Sequence, residues 1–503
     1  MLPWHSLPAE VRMLTLGQVI RVSTRVAPYA SVCRDWQCFF EKHTFQQLVL
    51  DTSALSTFTK FVKGDKAHRL SYIKHIILRI QLSNYSCLTC SKPEDATAIT
   101  RNNRIFTSSL RQLLRILSFA NGAGGLTLEI SAHSPSDLKH RFHEIEMEDG
   151  YPFRFESDLS KSPSLIEYRR QRFAEVQDKQ ISHGPNRTSF GQLQRLYGTP
   201  LELRPWFLTN KRGRPNPVPA LPRVPIVKGL LIRQHFFRGI ALPTLARILR
   251  ESLIALKWFR LERWKSLTNK VEREFYQDLK THLIPAMPQS LETFYLNQWP
   301  RWTMRRYNRV ILRSDVQKSF TKAVAKLCHR LVNFYAPPII NLKEFLYQLT
   351  QRPEGSRLER LCLVIGKHPA SYSQDWINSI LEDAVGVAWK MPQLRILEIW
   401  NTSLNFTYVF RYTLSNQQAT ITWETTGVSF HLTPKVRKYW ELVASRHTTR
   451  PLAIMIKSLP HKAGAASFFR NLVLRRHVYD PIREETGVAE RILQAERRSG
   501  VRL

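Results

Sequence analysis

The sequence predicts an α/β fold in which short parallel strands alternate with helices along most of the chain. Two observations carry this. One is a recurring phrase of an apolar residue, two variable ones, an apolar, one variable and a third apolar. It fits Phe45-Leu48-Leu50, Ile73-Ile76-Leu78, Ala123-Leu126-Leu128, Val227-Leu230-Ile232, Leu256-Phe259-Leu261, Leu291-Phe294-Leu296, Leu331-Phe334-Ala336, Leu358-Leu361-Leu363 and Leu394-Leu397-Ile399. The other is the spacing of these copies: steps of 29, 35, 40, 27 and 36 residues in the second half bracket one helix, one strand and two turns.

Within each phrase the last two apolars stand two apart, so a strand places both on one face. Helical spacing precedes most copies, over 106–119, 242–253, 275–283, 316–327, 342–349 and 376–385. An αβ unit this small cannot bury its apolar face alone, and stacking copies completes a shared core. The result resembles a leucine-rich-repeat-like solenoid, although the asparagine usual three residues after the last apolar is replaced by Trp299, Gly366 and Thr402. The competing architecture is an ordinary open α/β sheet.

Composition bounds the rest. A chain of 503 residues holds one long solenoid with attachments or several ordinary domains. The 75 Lys and Arg against 40 Asp and Glu suit an anionic partner or basic stems spread over helix flanks. Six cysteines do not make a disulfide framework, and neither a signal peptide nor a span-length apolar run is visible. An intracellular location, nucleus or cytoplasm, is expected, where the sequons at Asn84, Asn186, Asn401 and Asn405 carry no meaning.

In chain order, residues 1–44 read as helical. Leu7-Pro8-x-Glu10-Val11 opens a first helix, with Pro8 in a first turn and Glu10 at its positive end. Val32-Cys33-Arg34-x-Trp36 opens a second, on which Tyr29, Val32, Cys33, Trp36 and Phe40 share a face. These two motifs resemble an F-box, and the layout is similar to uncharacterised F-box proteins of filamentous fungi. The middle departs from that pattern, keeping only Leu16, Val19, Ile20 and Val22. The resemblance implies docking to the Skp adaptor of a cullin complex through Leu7, Pro8, Glu10, Val11, Leu14, Val32, Cys33, Arg34 and Trp36. The bland alternative is that the two helices only cap the solenoid.

The phrase resumes over 45–402. Cys87-Leu88-Thr89-Cys90 is half a zinc site and lacks two ligands, so no metal is expected. Residues 131–223 interrupt the repeat as a charged, proline-containing insertion with one helix over 165–176 and an acidic cluster over 144–149. It ends in Lys211-Arg212-Gly213-Arg214-Pro215, which resembles an AT-hook core; Arg212 and Arg214 would enter a narrow minor groove beside Gly213. Residues 403–503 read as a small α+β unit. It begins with a hairpin of one buried face from Phe406, Tyr408, Phe410, Tyr412 and Leu414 to Ile421 and Trp423, and continues through a strand over 428–432, helix 436–443, strand 452–456 and helices 465–478 and 488–495.

No phosphate loop, nucleophile elbow or metal-binding histidine pair is present, so neither catalysis nor a cofactor is expected of the chain. The resemblance implies a substrate-recognition subunit of a Skp-cullin-F-box ubiquitin ligase. The rivals are a nuclear DNA-associated protein using the basic loop and an interaction scaffold with a degenerate F-box; no membrane contact is expected. In a parallel solenoid the residues just before, between and just after the phrase's last two apolars face the concave surface. They are Trp258, Arg260, Glu262, Thr293, Tyr295, Asn297, Asn333, Tyr335, Arg360, Cys362, Ile396, Glu398 and Trp400. Of these, Trp258, Arg260, Tyr295, Tyr335, Arg360 and Trp400 are the expected substrate contacts, being of the types enriched at hot spots. The alternative is that the insertion or the C-terminal unit covers some of them.

Overall fold

The computed structural model describes residues 4–23, 26–120, 124–137, 139–140, 189–204, 220–233, 237–264, 266–299, 314–336, 339–351, 355–365, 373–401, 408–415, 418–425, 431–458 and 473–474. The chain begins with a small helical module. Helix α1 (Ala9–Val22) starts on Pro8, whose carbonyl accepts Arg12 N–H at 3.1 Å, and Glu10 sits in its first turn. A 3₁₀ turn (Ala27–Ser31) leads to α2 (Arg34–Phe45). Trp36 lies within ring contact of Trp4 (5.6 Å), Tyr29 (6.2 Å) and Phe40 (5.6 Å), so aromatic packing rather than a large aliphatic core holds the module. Arg12 Nη1 meets Asp35 Oδ2 at 2.5 Å and ties α1 to α2. Glu41, on α2, is joined to Arg69 of the following segment, and that guanidinium holds its carboxyl below the ordinary range.

Among the described residues, twelve strands form one sheet in chain order. They are β1 (Gln47–Asp51), β2 (His75–Gln81), β3 (Leu126–His133), β4 (Val227–Ile232), β5 (Trp258–Trp264), β6 (Thr293–Trp299), β7 (Asn333–Ala336), β8 (Arg360–Val364), β9 (Ile396–Asn401), β10 (Tyr408–Leu414), β11 (Ala419–Thr425) and β12 (Ala453–Ser458). Every neighbouring pair from β1 to β9 is parallel. The last two apolars of each of the nine phrases lie on a strand. Between strands run α3 (Ala54–Val62), α4 (Ala96–Leu117), α5 (Phe190–Tyr197), α6 (Leu242–Glu251), α7 (Asn269–Asp278), α8 (Ser314–Cys328), α9 (Leu342–Gln351) and α10 (Gln374–Lys390). Crossovers of one hand between strands added always on the same side place their helices on one face. The burial agrees: one contiguous core joins Phe259, Leu261, Phe294, Leu296, Leu361, Leu363, Leu397 and Ile399 to Leu245, Phe320, Phe345 and Leu381 of the helices.

The first apolar of the phrase makes the turn into the strand. Leu256, Leu291, Leu331 and Leu394 are all buried, and each donates its N–H to the carbonyl three residues before it. The aromatic middle positions stack across strands, Phe259 on Phe294 (5.6 Å) and Phe294 on Phe334 (6.4 Å). Helix starts are capped by Asp95, Ser189, Thr268, Ser373 and Thr433, whose side chains accept backbone N–H groups.

Three features differ from the sequence reading. Helix α3, between β1 and β2, lies outside the helical stretches read from the sequence; Leu55, Phe58 and Val62 form its buried stripe.

 The stretch over 131–223 contains the end of β3, a capped helix α5, and a return in which Leu201 pairs with Ile240. The C-terminal hairpin is not buried on one face only: Val409 and Arg411 are buried as well as Phe410 and Tyr412. Strand β10 lies antiparallel to both β9 and β11, β12 follows α11 (Pro434–His447) parallel to β11, and all three strands extend the same sheet. Helices 165–176 and 488–495, the acidic cluster 144–149, most of strand 428–432 and all of helix 465–478 except residues 473–474, which stand in a turn, lie outside the described residues.

Candidate functional site

The face of the sheet away from the helices carries the residues that alternate with the core apolars. Strand register aligns them into rows. One row runs Glu129, Leu231, Arg260, Tyr295, Tyr335, Cys362, Glu398, Arg411 and Thr422 from β3 to β11. A second, toward the strand starts, runs Gly229, Trp258, Thr293, Asn333, Arg360 and Ile396.

This face is charged and largely closed. Glu129 lies 3.1 Å from His75 Nε2 and 3.2 Å from Arg233 Nε; Arg260 Nε lies 3.2 Å from Glu262. At the other end Arg411 lies 2.6 Å from Glu398 and 3.6 Å from Glu424. Glu129, Glu262, Glu398, Arg411 and Glu424 are all buried, so each carboxylate depends on its partner for the solvation it has lost. Glu398 is fully buried and does more: Oε1 accepts Val473 N–H and Oε2 accepts Leu474 N–H, both at 3.0 Å. A piece of the C-terminal chain is thereby fixed against β9.

The expected substrate contacts divide accordingly. Arg360 is exposed and donates to Asn333 Oδ1 at 3.3 Å, while half-buried Asn333 donates to buried Thr293 at 2.9 Å, so this row runs from a buried threonine out to a guanidinium open to solvent. Trp258, Arg260 and Tyr295 are half-buried, with the Arg260 guanidinium 5.3 Å from the Tyr295 ring centre. Tyr335 and Trp400 are buried. Trp400 Nε1–H donates to Cys362 Sγ at 3.2 Å, and burial, then the Glu398 charge, push that thiol up. Cys362 is thus held as a neutral thiol, packed rather than reactive. Among the described residues the face offers guanidinium, indole and phenol groups for contact. Glu129, Arg233, Arg411 and Glu424 were not singled out from sequence, yet the signal was there: Leu128-Glu129-Ile130 and Phe410-Arg411-Tyr412 each set one charge between two core apolars.

In the N-terminal module the motif residues separate into two groups. Val11, Leu14 and Val32 stand open at 42%, 75% and 59%, Pro8, Glu10 and Arg34 are exposed, and Leu7 and Cys33 are half-buried. Leu16 and Phe40 turn inward, and Trp36 packs among the rings. Leu7, Val11 and Leu14 fall at helical spacing along one side of α1 and the residues leading into it. Arg212, Gly213 and Arg214 lie outside the described residues. Among the described residues no three His, Cys, Asp or Glu side chains are grouped to hold a metal ion, and no helix is long and apolar enough to cross a membrane.

Residues 283–480 match the model of a family of unknown function (DUF6546). A comparison with curated proteins finds no match. Among solved structures, the leucine-rich repeat-containing protein LegL7 from Legionella pneumophila is similar over 76% of this chain and 88% of its own, at 10% identity and a TM-score of 0.25. At that score the likeness adds nothing to the fold argued above from the strands themselves.

Proposed function

We propose that the chain is a non-catalytic substrate-recognition subunit of a Skp-cullin-F-box ubiquitin ligase, with an F-box at its N-terminus and a leucine-rich-repeat-like solenoid behind it. The observation that carries this is the exposed apolar set Val11, Leu14 and Val32 within Leu7-Pro8-x-Glu10-Val11 and Val32-Cys33-Arg34-x-Trp36. Three large apolar side chains left in water on a small module are a cost unless a partner covers them. The Skp adaptor is the partner that these motifs imply. The solenoid then takes a protein substrate through the rim formed by Trp258, Arg260, Tyr295 and Arg360. Such a subunit contributes position, raising the effective concentration of substrate lysines near a ubiquitin carrier held elsewhere in the complex.

The experiment is co-purification of the full chain with a Skp adaptor. Val11→Ala and Leu14→Ala, both at exposed positions, leave the thermal midpoint nearly unchanged and each weakens adaptor binding by about tenfold, the effect of losing an anchor worth more than about 1 kcal/mol. Undiminished recovery of the adaptor with the doubly substituted chain, or none with the unsubstituted chain, overturns the proposal.

A further inference from the structure

A second chemistry-bearing cluster lies at the C-terminal ends of β2 and β3, away from both surfaces used above. After β2 the chain enters the tight turn Cys87-Leu88-Thr89-Cys90, closed by Cys90 N–H on the Cys87 carbonyl at 3.4 Å. Cys87 is exposed and Cys90 is buried, with Cys90 Sγ donating to the Cys87 carbonyl at 3.0 Å. Cys87 Sγ lies 3.4 Å from Nε2 of His140.

The histidine is oriented for that thiol. Its Nδ1 lies 2.7 Å from the Ser136 carbonyl, and a carbonyl can only accept, so Nδ1 carries the proton. In the neutral ring Nε2 is then the acceptor, and it is the atom turned to Cys87. The imidazole stacks on Tyr85 at 5.2 Å, and Tyr85 is itself anchored by its hydroxyl on Asp137 at 2.9 Å. The turn is clamped as well. Arg195 of α5 donates to the Thr89 carbonyl through Nη2 at 3.1 Å and to the Lys92 carbonyl through Nε at 2.8 Å. Gly191 brings the α5 backbone so close that a Cβ there would stand 1.9 Å from the Ser91 carbonyl oxygen.

The geometry points to Cys87 as a peroxide-reactive thiol, with His140 as its base and Cys90 as the resolving thiol of an intramolecular disulfide. In the first step Cys87 sulfur attacks one oxygen of a hydroperoxide while its proton passes to His140. The O–O bond breaks, the leaving oxygen takes that proton back from His140 and departs as water or alcohol, and Cys87 becomes a sulfenic acid. In the second step Cys90 sulfur attacks Cys87 sulfur, the S–O bond breaks, water leaves, and the Cys87–Cys90 bond forms. Two thiols lose two electrons and the peroxide gains them. Residues i and i+3 of a tight turn have Cα atoms within about 7 Å, inside or just above the span that a disulfide bridges. Burial raises the Cys90 thiol above its ordinary value, so it waits as the thiol while exposed Cys87 meets the oxidant.

The test uses the full, reduced chain and a small molar excess of hydrogen peroxide, followed by peptide mass spectrometry. The peptide holding both cysteines loses two hydrogens, and Cys90→Ser instead leaves Cys87 as a sulfenic acid trapped by dimedone. Iodoacetamide at neutral pH labels Cys87 faster than Cys38, an exposed cysteine of α2 that serves as the internal reference. His140→Asn slows Cys87 labelling roughly a hundredfold, the lower end of what a positioned base contributes, and leaves Cys38 unchanged. Labelling of Cys87 no faster than Cys38, or peroxide treatment that yields no Cys87–Cys90 bond, overturns the assignment. So does a full equivalent of zinc that protects both cysteines until a chelator removes it.

Discussion

The two faces of the sheet are buried by opposite means. Toward the helices, Phe294, Leu361, Leu397 and their neighbours exclude water by apolar contact in one continuous core. On the other face the same strands bury Glu129, Glu262, Glu398, Arg411 and Glu424, and each buried carboxylate is met by a guanidinium or an imidazole. Apolar packing is redundant: a lost methyl group is shared among many neighbours and costs in proportion to the cavity it leaves. Ion pairing is not redundant, since removing one member leaves the other buried without the charge that made its burial tolerable. The helix face therefore carries graded stability, and the opposite face carries stability concentrated in a few pairs.

The largest expected effect tests that difference directly. Glu398→Ala removes the carboxylate that meets Arg411 and accepts both Val473 and Leu474 N–H groups. A loss of about 3–5 kcal/mol is expected in denaturant unfolding, the range for breaking one member of a buried pair. Glu398→Ala/Arg411→Met should lose less than the sum of the two single losses, because both break the same pair, while Glu424, which Arg411 also meets, keeps Lys457 at 3.9 Å. If the double variant is as unstable as the sum of the two single ones, the pair is not the unit of stability and the contrast between faces fails.

How far these faces were legible follows from the same contrast. The phrase places apolars at strand spacing, and period alone locates all nine parallel strands and their core side. Helix α3 was legible and missed: Leu55, Phe58 and Val62 stand at i, i+3 and i+7, the spacing of one helix face, in a stretch of only nine residues. The continuation of the sheet through β10 to β12 escaped because pairing order depends on distant chain, which no local period encodes. The charged face was half legible: Glu398 and Arg260 could be assigned to it, but not that Glu398 would hold residues 473–474. Nor could Cys87 and His140 be joined, since 53 positions and a strand separate them.

A carboxylate outside the sheet sharpens the comparison, with a smaller effect. Asp137 is buried where Tyr85 O–H and Ser134 N–H donate to it, and burial pushes its carboxyl up to about 6. A folded value above the unfolded one, near 3.9, means that the native state binds the extra proton between these values. Its contribution is present below pH 4 and is lost as pH rises toward 6, by on the order of 2–3 kcal/mol. Asp137→Asn should flatten that part of the profile of stability against pH. An identical fall in both chains from pH 4 to 6 would show that another group governs it.

The smallest effect concerns the boundary between the closed and open parts of the charged face. Gly229 on β4 pairs with Trp258 on β5, and a Cβ at Gly229 would stand 2.3 Å from the Trp258 indole. The indole thus lies across the strand next to its own, over a position that only a glycine leaves clear. Gly229→Ala must push the ring aside, and overpacking of this kind costs about 1–3 kcal/mol. Trp258→Ala should cost little, since the side chain is half-buried. The double variant Gly229→Ala/Trp258→Ala should then be more stable than Gly229→Ala alone, because the ring that the new methyl displaces is absent. Strictly additive losses in the thermal midpoint would mean that Trp258 does not rest on β4, and that the open rim is wider than the half-buried indole makes it.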